Sequence, residues 1–275
     1  MSKLYVVGTP IGNLSDFSPR AIDTLKNVDF IAAEDTRVTL KLLTHFGIQK
    51  PLVSYYEHNI REKGEYILGR IENGESCAIV TDAGMLSISD PGEDLVRLCA
   101  ERGIEINVVP SPTAAMSALA ISGLPTARFS FEGFLSVTNK QRRAHLEEVK
   151  SFKRTLIFYE APHKLIYTLK DMLDAFGDRK IALCRELTKI HEEVLRGKIS
   201  DMIAYYENKP PKGEYVLVIE GAAEEEASDE ITLDMAVAMA QKLISDGVKS
   251  SDAAKEIAKK TKFSKSEIYS GLLKD

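Results

Sequence analysis

Short apolar, β-branched runs recur along the first part of the chain, and a longer segment of helical periodicity follows each one. LYVVG (4–8), DFIAAED (29–35), PLVSYY (51–56), CAIVTD (77–82) and INVVPS (106–111) are the strands this pattern predicts. Continuous apolar runs alternating with amphipathic stretches are what βαβ units and a largely parallel sheet require, because helices cover both faces of such a sheet. Helix punctuation agrees. Ser18 before Pro19 opens one helix, and TLKLLTHFG (39–47) closes another at Gly47.

From about residue 129 the pattern restarts, with FSFEGFL (129–135), RTLIFYEA (154–161), KIALCREL (180–187) and GEYVLVIEG (213–221) as strands. KQRRAHLEEVKSF (140–152) and the run from His163 to Phe176 supply helices between them. The expected organisation is an N-terminal α/β domain over 1–122 and a second α/β domain over 125–222, joined through SGLPTAR (122–128). The acidic run around AAEEEASDE makes 223–230 a linker, and three amphipathic segments make 231–275 a small helical tail.

Composition narrows the function classes. An apolar fraction of 44% and a charged fraction of 28% over 275 residues suit a soluble protein that buries sizeable cores. A net charge of −5 argues against binding nucleic acid by bulk electrostatics and leaves only local basic patches for that purpose. Cys77, Cys99 and Cys184 sit singly in apolar surroundings, as core thiols of a reducing compartment do. The apolar run in MSKLYVVGTP is too short for a signal peptide and no stretch reaches the length of a membrane span, so the expectation is a cytoplasmic protein without membrane contact.

Candidate chemistry lies where the predicted strands end, because ligands of open α/β sheets collect outside the carboxyl ends of the strands. FIAA runs into Glu34-Asp35-Thr36-Arg37, AIV into Thr81-Asp82-Ala83-Gly84, and NVV into Pro110-Ser111-Pro112-Thr113-Ala114. Asp90 before Pro91, with Glu93 at capping-box spacing, starts one helix; Ser111 before Pro112 starts another. Amides at helix starts favour a carboxylate or phosphate, and Gly84 lets backbone approach a ligand. Each turn taken singly reads as a plain turn. Their coincidence at neighbouring strand ends favours a cofactor held by backbone groups. VVGTPIGNL lacks the G-x-G-x-x-G spacing and no phosphate-binding G-x-x-x-x-G-K-[ST] loop occurs. His191-Glu192-Glu193 lacks the second histidine of a zinc helix, and His45, His58, His145 and His163 have no ligand spacing, so no metal is expected.

LYVVGTPIGNL, AAEDTR, SYYEHN, VTDAG with ISDPG, VVPSPTAAMSALA, FYEAPHK, CRELTKIHEE and KGEYVLVIEG, in this order from residue 4 to 221, resemble the small-subunit rRNA methyltransferase branch of the tetrapyrrole methylase superfamily. The tail segment DAAKEIAKKTKFSKSEIY is similar to that branch's C-terminal extension. The resemblance implies two α/β domains with S-adenosyl-L-methionine in the cleft between them, a homodimer, and methylation of a cytidine ribose 2′-hydroxyl in the decoding region of 16S rRNA. It places Pro10, Asp82, Ala83, Gly84, Ser87, Ile88, Ser111, Thr113 and Ala114 on the cofactor loops, and Tyr159, Glu160 and Ala161 where the second domain closes over adenosine. AEDTR and YEHN look special to the rRNA branch, which assigns Glu34, Asp35, Arg37 and His58 to catalysis and Asn59 to the RNA. Leu86 and Ser136 stand where the family commonly has proline.

Methyl transfer to a hydroxyl is an in-line displacement assisted by a base, and Glu34 or Asp35, with His58 behind them, are the candidates. Two adjacent carboxylates raise one another's pKa while Arg37 opposes the rise; an Asp35 and Arg37 ion pair that caps the following helix is the structural alternative. For the RNA, Arg142, Arg143, Lys153 and Arg154 belong to the densest basic cluster, which reads either as a phosphate contact or as a solvated helix face. Arg185 lines the cleft or pairs locally, and the lysines from 255 to 265 offer a second contact surface or a plain helix pair. Competing functions are a methylase of a tetrapyrrole or other small molecule, and a non-catalytic ribosome-binding factor.

Overall fold

The computed structural model describes residues 2–85, 92–223 and 232–273. It divides into two compact units, Met1–Ala222 and Ala223–Asp275. Five strands open the first unit: β1 (Leu4–Val7), β2 (Phe30–Ala33), β3 (Leu52–Ser54), β4 (Cys77–Val80) and β5 (Ile106–Val109). They pair in the order β3-β2-β4-β1-β5, parallel throughout, as the repeated apolar runs predict.

Alternate side chains of these strands enter two different cores. Val7, Ile31, Ala33, Ala78 and Val80 pack with α1 (Pro19–Asn27) and α2 (Thr36–His45). Leu4, Val6, Phe30, Ala32, Cys77 and Ile79 pack with α3 (Ile60–Glu72) and α4 (Gly92–Glu101) on the other face. Full burial of each valine, leucine, isoleucine or phenylalanine among them is worth about 1.5–3 kcal/mol, which is why both faces must be covered. β1 and β4 are neighbours, yet the helices that follow them lie on opposite faces. The same alternation holds for β2 beside β4 and for β3 beside β2, so a switch-point crevice of the kind that binds ligands lies outside the carboxyl ends of β2, β4 and β1.

The chain leaves this sheet through α5 (Ala114–Ser122), which packs against the second sheet with Ala115, Ala118 and Leu119. That sheet contains β6 (Phe129–Phe134), β7 (Thr155–Glu160), β8 (Lys180–Arg185), β9 (Glu193–Lys198) and β10 (Tyr215–Ile219) in the order β6-β7-β10-β8-β9. Only β6 and β7 run parallel, so this half departs from the parallel pattern of the first. Strand direction is set by the connections, and burial periodicity does not encode it. β9 escapes the hydrophobic pattern because, as a half-exposed edge strand reading EVLRGK, it has no continuous apolar run. On the face away from α5, α6 (Asn139–Val149), α7 (Leu165–Phe176) and α8 (Ile199–Glu207) build the largest core, around Phe158, Leu169 and Leu217.

The second unit is three helices: α9 (Leu233–Ser245), α10 (Ser250–Lys260) and α11 (Lys265–Leu272). They enclose Ala236, Ala240, Ala253, Ala254, Ile257 and Ile268, in agreement with the amphipathic pattern of the tail. The acidic run at 224–231 lies outside the described residues. All three cysteines are buried free thiols. Among the described residues no helix is long and apolar enough to cross a membrane.

Gly8, directly after β1, carries a steric constraint. A Cβ there would stand 2.3 Å from the Cβ of Ser111 and 3.1 Å from its amide nitrogen. Gly8→Ala forces the ends of β1 and β5 apart, and urea unfolding is expected to show a loss of about 1–3 kcal/mol.

Candidate active site

At the switch point the loops after β1, β4 and β5 are tied together by backbone. Thr9 N donates to Gly84 O at 2.9 Å and Gly84 N returns a bond to Thr9 O at 3.1 Å. Ser111 Oγ donates to the same Thr9 carbonyl at 2.8 Å, and Thr9 Oγ1 donates to Thr81 O at 3.2 Å. Gly84 holds φ +85°, a conformation that glycine adopts without penalty. Pro10 and Gly84 are buried in this knot, while Asp82 and Ala83 are exposed beside it. The structure thus brings Pro10, Asp82, Ala83, Gly84, Ser111, Thr113 and Ala114 to one edge of the first sheet. Ser87 and Ile88 lie outside the described residues, as do Leu86, Asp90 and Pro91.

The cap of α5 differs from expectation. Thr113, not Ser111, is the N-cap, in an extended conformation with its side chain accepting from Met116 N at 3.2 Å. Ser111 does not cap because its hydroxyl bonds Thr9.

The carboxylates divide into two electrostatic types. Asp35 caps α2, with Oδ1 accepting from Arg37 N at 2.8 Å and from Arg37 Nε at 3.0 Å. Its Oδ2 accepts from Arg37 Nη2 at 2.6 Å. These bonds favour the ionised form and lower the pKa of Asp35 to about 2. The structural ion pair foreseen as an alternative is therefore present. Asp82, one strand over, accepts from Asp35 N at 3.2 Å, and desolvation, aided by the nearby Asp35 charge, raises its pKa against that amide bond and the Arg37 charge. Glu34 is half-buried beside them. His58 is exposed and packs edge-on against Tyr56, with ring centroids 6.1 Å apart. Asn59 spends both ends of its amide on the turn after β3: Oδ1 accepts from Tyr56 N, and Nδ2 donates to Ser54 O.

The second sheet supplies the facing wall. Tyr159 Oη accepts from Ala115 N, in the first turn of α5, at 3.2 Å, and its ring meets Phe131 and Phe134 at 4.9 and 5.4 Å. Burial raises its pKa, so the phenol stays neutral. Ala161 follows at the rim. The Glu160 side chain turns inward instead: only 3% of the residue is exposed, and it accepts from Ala161 N and Thr168 Oγ1, which fixes the approach to α7. Ile11, from the loop after β1, joins the core around α5. A Cβ on Gly12 would meet Lys189 Cγ at 2.6 Å. Lys189 sits in the β8–β9 turn, where Glu186 and Thr188 hold φ of 51° and 67°. Positive φ is costly for a β-branched threonine, and surrounding packing must hold such strain in place.

The basic residues do not form one patch. Arg142 is buried, donating from Nε to Asp171 Oδ2 at 2.7 Å with Nη2 at 2.6 Å, so its expected role as an RNA contact gives way to a structural one. Arg143 is exposed and reaches the other oxygen of Asp171 at 3.2 Å. Lys153 and Arg154 precede β7, at the end opposite Tyr159, about 17–20 Å away at roughly 3.3 Å per residue. Arg154 stacks on Phe152 at 3.8 Å. Arg185 pairs with Glu193 at 3.2 Å and donates to His191 O. Among the described residues no group of three or more histidine, cysteine or acidic side chains is placed to hold a metal ion.

Sequence reasoning missed three features. The close approach of Gly8 to Ser111 had a signal, a glycine directly after a strand. The strained Glu186 and Thr188 had none, because neither residue type announces positive φ. The electrostatic distinction of Asp82 depends on partial desolvation and on the neighbouring Asp35 charge, which only the fold brings to it.

The model for the family described as Tetrapyrrole (Corrin/Porphyrin) Methylases matches residues 3–203. A relative from Synechocystis sp. named Ribosomal RNA small subunit methyltransferase I is 45% identical over 273 residues, covering 98% of this chain and 96% of the relative. A relative of the same name from Thermotoga maritima is 48% identical over 221 residues, 80% of this chain and 99% of its own length. Among solved structures, uroporphyrin-III-C-methyltransferase from Thermus thermophilus has a TM-score of 0.57 at 19% identity, covering 80% of this chain and 94% of that one, a likeness of fold.

Two measurements check this geometry. Asp171→Ala strands the buried Arg142 charge and is expected to cost about 3–5 kcal/mol in urea unfolding, against less than about 1 kcal/mol for Arg143→Ala. Carboxyl NMR is expected to place the Asp35 midpoint near 2, so the stability tied to it is complete above the ordinary 3.8 and disappears as pH falls towards 2. The Asp82 midpoint should lie above 3.8.

Proposed function

The chain belongs to the tetrapyrrole methylase family, within its group named Ribosomal RNA small subunit methyltransferase I, and on that premise we propose that it methylates a cytidine ribose 2′-hydroxyl in the decoding region of 16S rRNA with S-adenosyl-L-methionine. The observation that carries this reading is the backbone-tied switch point with the Asp82, Asp35 and Arg37 chain of contacts beside it. The reading includes a homodimer and a cytoplasmic location beside the ribosome.

The residues present fit the cofactor. Ala83, Gly84 and Ser111 to Ala114 present backbone and small side chains, Tyr159 gives an aromatic wall, and the Asp82 carboxylate suits a cationic ligand. When bound, the cofactor supplies a methyl group on a positively charged sulfur. Rigid strand ends orient the two reactants for in-line attack, which is the larger part of the protein's task. Asp35, held ionised by Arg37 with a pKa near 2, is a poor proton acceptor; its backbone amide orients Asp82 instead. Asp82, with its pKa raised, is the better matched base for the ribose hydroxyl. Glu34 adjoins Asp35, and His58 lies in the turn after β3, two strands from β4.

Mass-spectrometric mapping of small-subunit rRNA from cells lacking the protein is expected to show loss of one ribose methylation in the decoding region; an unchanged map contradicts the reading. Asp82→Asn should lower the rate of methyl transfer about 100-fold or more and flatten the rise of rate with pH that deprotonation of a base produces. Asp35→Asn should depress transfer while calorimetric affinity for the cofactor stays within a few-fold; equal loss of both would make Asp35 purely structural.

A further inference from the structure

A pocket of about 640 Å³ opens between the start of α6 and the outer face of α7. Its lining includes Arg143, His163, Lys164, Tyr167 and Lys170, none of which the reaction uses. The pocket begins at the rim of the candidate active site: β6 and β7 run parallel, and the segments leaving their carboxyl ends, Val137 on one and His163 and Lys164 on the other, form its walls. Ala161 and Pro162 alone separate Tyr159 and Glu160 from His163. The pocket also holds the one part of the basic run that stays at the reacting end, since Lys153 and Arg154 lie at the other end of β7.

Tyr167 is 70% exposed, an aromatic ring presented to solvent one helical turn from Lys164 and Lys170. Four cations line the pocket against two carboxylates, and one of these, Asp171, is already taken by the buried Arg142. The guanidinium of Arg143 also reaches Asp171, through Nε and Nη2 at 3.2 Å, and its side chain is otherwise exposed. An exposed aromatic face among cations is the chemistry that binds single-stranded nucleic acid: bases stack on the ring and phosphates meet the charges.

We propose that this pocket docks the single-stranded rRNA segment flanking the methylated nucleotide, with Tyr167 stacking on a base and Arg143, Lys164 and Lys170 contacting phosphates. It rests on the methyltransferase reading for the identity of the strand. Arg142 is then a positioning residue that acts through Asp171.

The test uses the full chain, a fluorescent single-stranded RNA oligonucleotide carrying the decoding-region sequence, and assembled small subunits as methyl acceptor. Tyr167→Ala is expected to weaken oligonucleotide binding about tenfold or more, and Tyr167→Phe, which keeps the ring, to retain it. Joint replacement Lys164→Ala and Lys170→Ala should reduce the slope of log affinity against log salt by about 1.4, close to 0.7 for each phosphate that is no longer neutralised. Cofactor affinity and the melting temperature should match the wild type in all three. Wild-type RNA affinity and salt slope in the alanine variants would overturn the proposal. So would slower methylation of assembled subunits with unaltered oligonucleotide binding, which would give the pocket to a ribosomal protein. Equal weakening in Tyr167→Phe and Tyr167→Ala would likewise remove the stacking role. If the variants lose RNA binding but the wild type methylates no rRNA, the pocket stands and the methyltransferase reading falls.

Discussion

Two backbone hydrogen bonds between Thr9 and Gly84 join the loops that leave the carboxyl ends of β1 and β4, neighbouring strands whose following helices part to opposite faces of the first sheet. The parting opens a crevice, and the bonds keep it from widening. Ser111 adds a third loop through the same Thr9 carbonyl, and the absence of a side chain on Gly8 allows the approach. Backbone bonds, two hydroxyls and the bare Gly8 carry this arrangement, so the cradle is small-walled. Such a floor suits a ligand recognised by amides and shape.

Around that floor the charges are sorted by what touches them. Arg37 satisfies Asp35 on both oxygens and leaves it a permanent anion, while the desolvated Asp82 receives one amide and keeps a raised pKa. A pair of aspartates thus takes two characters from two environments, the same physics by which burial and partners separate an acid from a base elsewhere. The second sheet completes the cleft with Tyr159, tied to the start of α5. Its β8–β9 turn is held in strained backbone against the loop after β1.

Much of this was legible in the sequence, for identifiable reasons. Strands buried on both faces, such as FIAA and CAIV, leave continuous apolar runs, and glycine, proline and aspartate mark where they end. The ordered motifs from LYVVGTPIGNL to KGEYVLVIEG pointed to a family that the comparisons bear out. What the sequence did not carry was long-range pairing. KQRRAH reads as a solvated helix face, yet Asp171, 29 residues on, draws Arg142 into the interior. Ser111 reads as a cap until Thr9, 102 residues earlier, takes its hydroxyl. The antiparallel direction of β8 to β10 and the existence of β9 depend likewise on connections that local pattern does not encode.

If the backbone of the switch point holds S-adenosyl-L-methionine, amide hydrogen exchange with and without the cofactor reads that contact where it forms. Added protection is expected only in segments covering 8–12, 81–85, 111–115 and 159–163, with the tail at 232–273 unchanged. Binding without added protection in the first three segments, or protection centred elsewhere in the chain, is incompatible with a cofactor seated there.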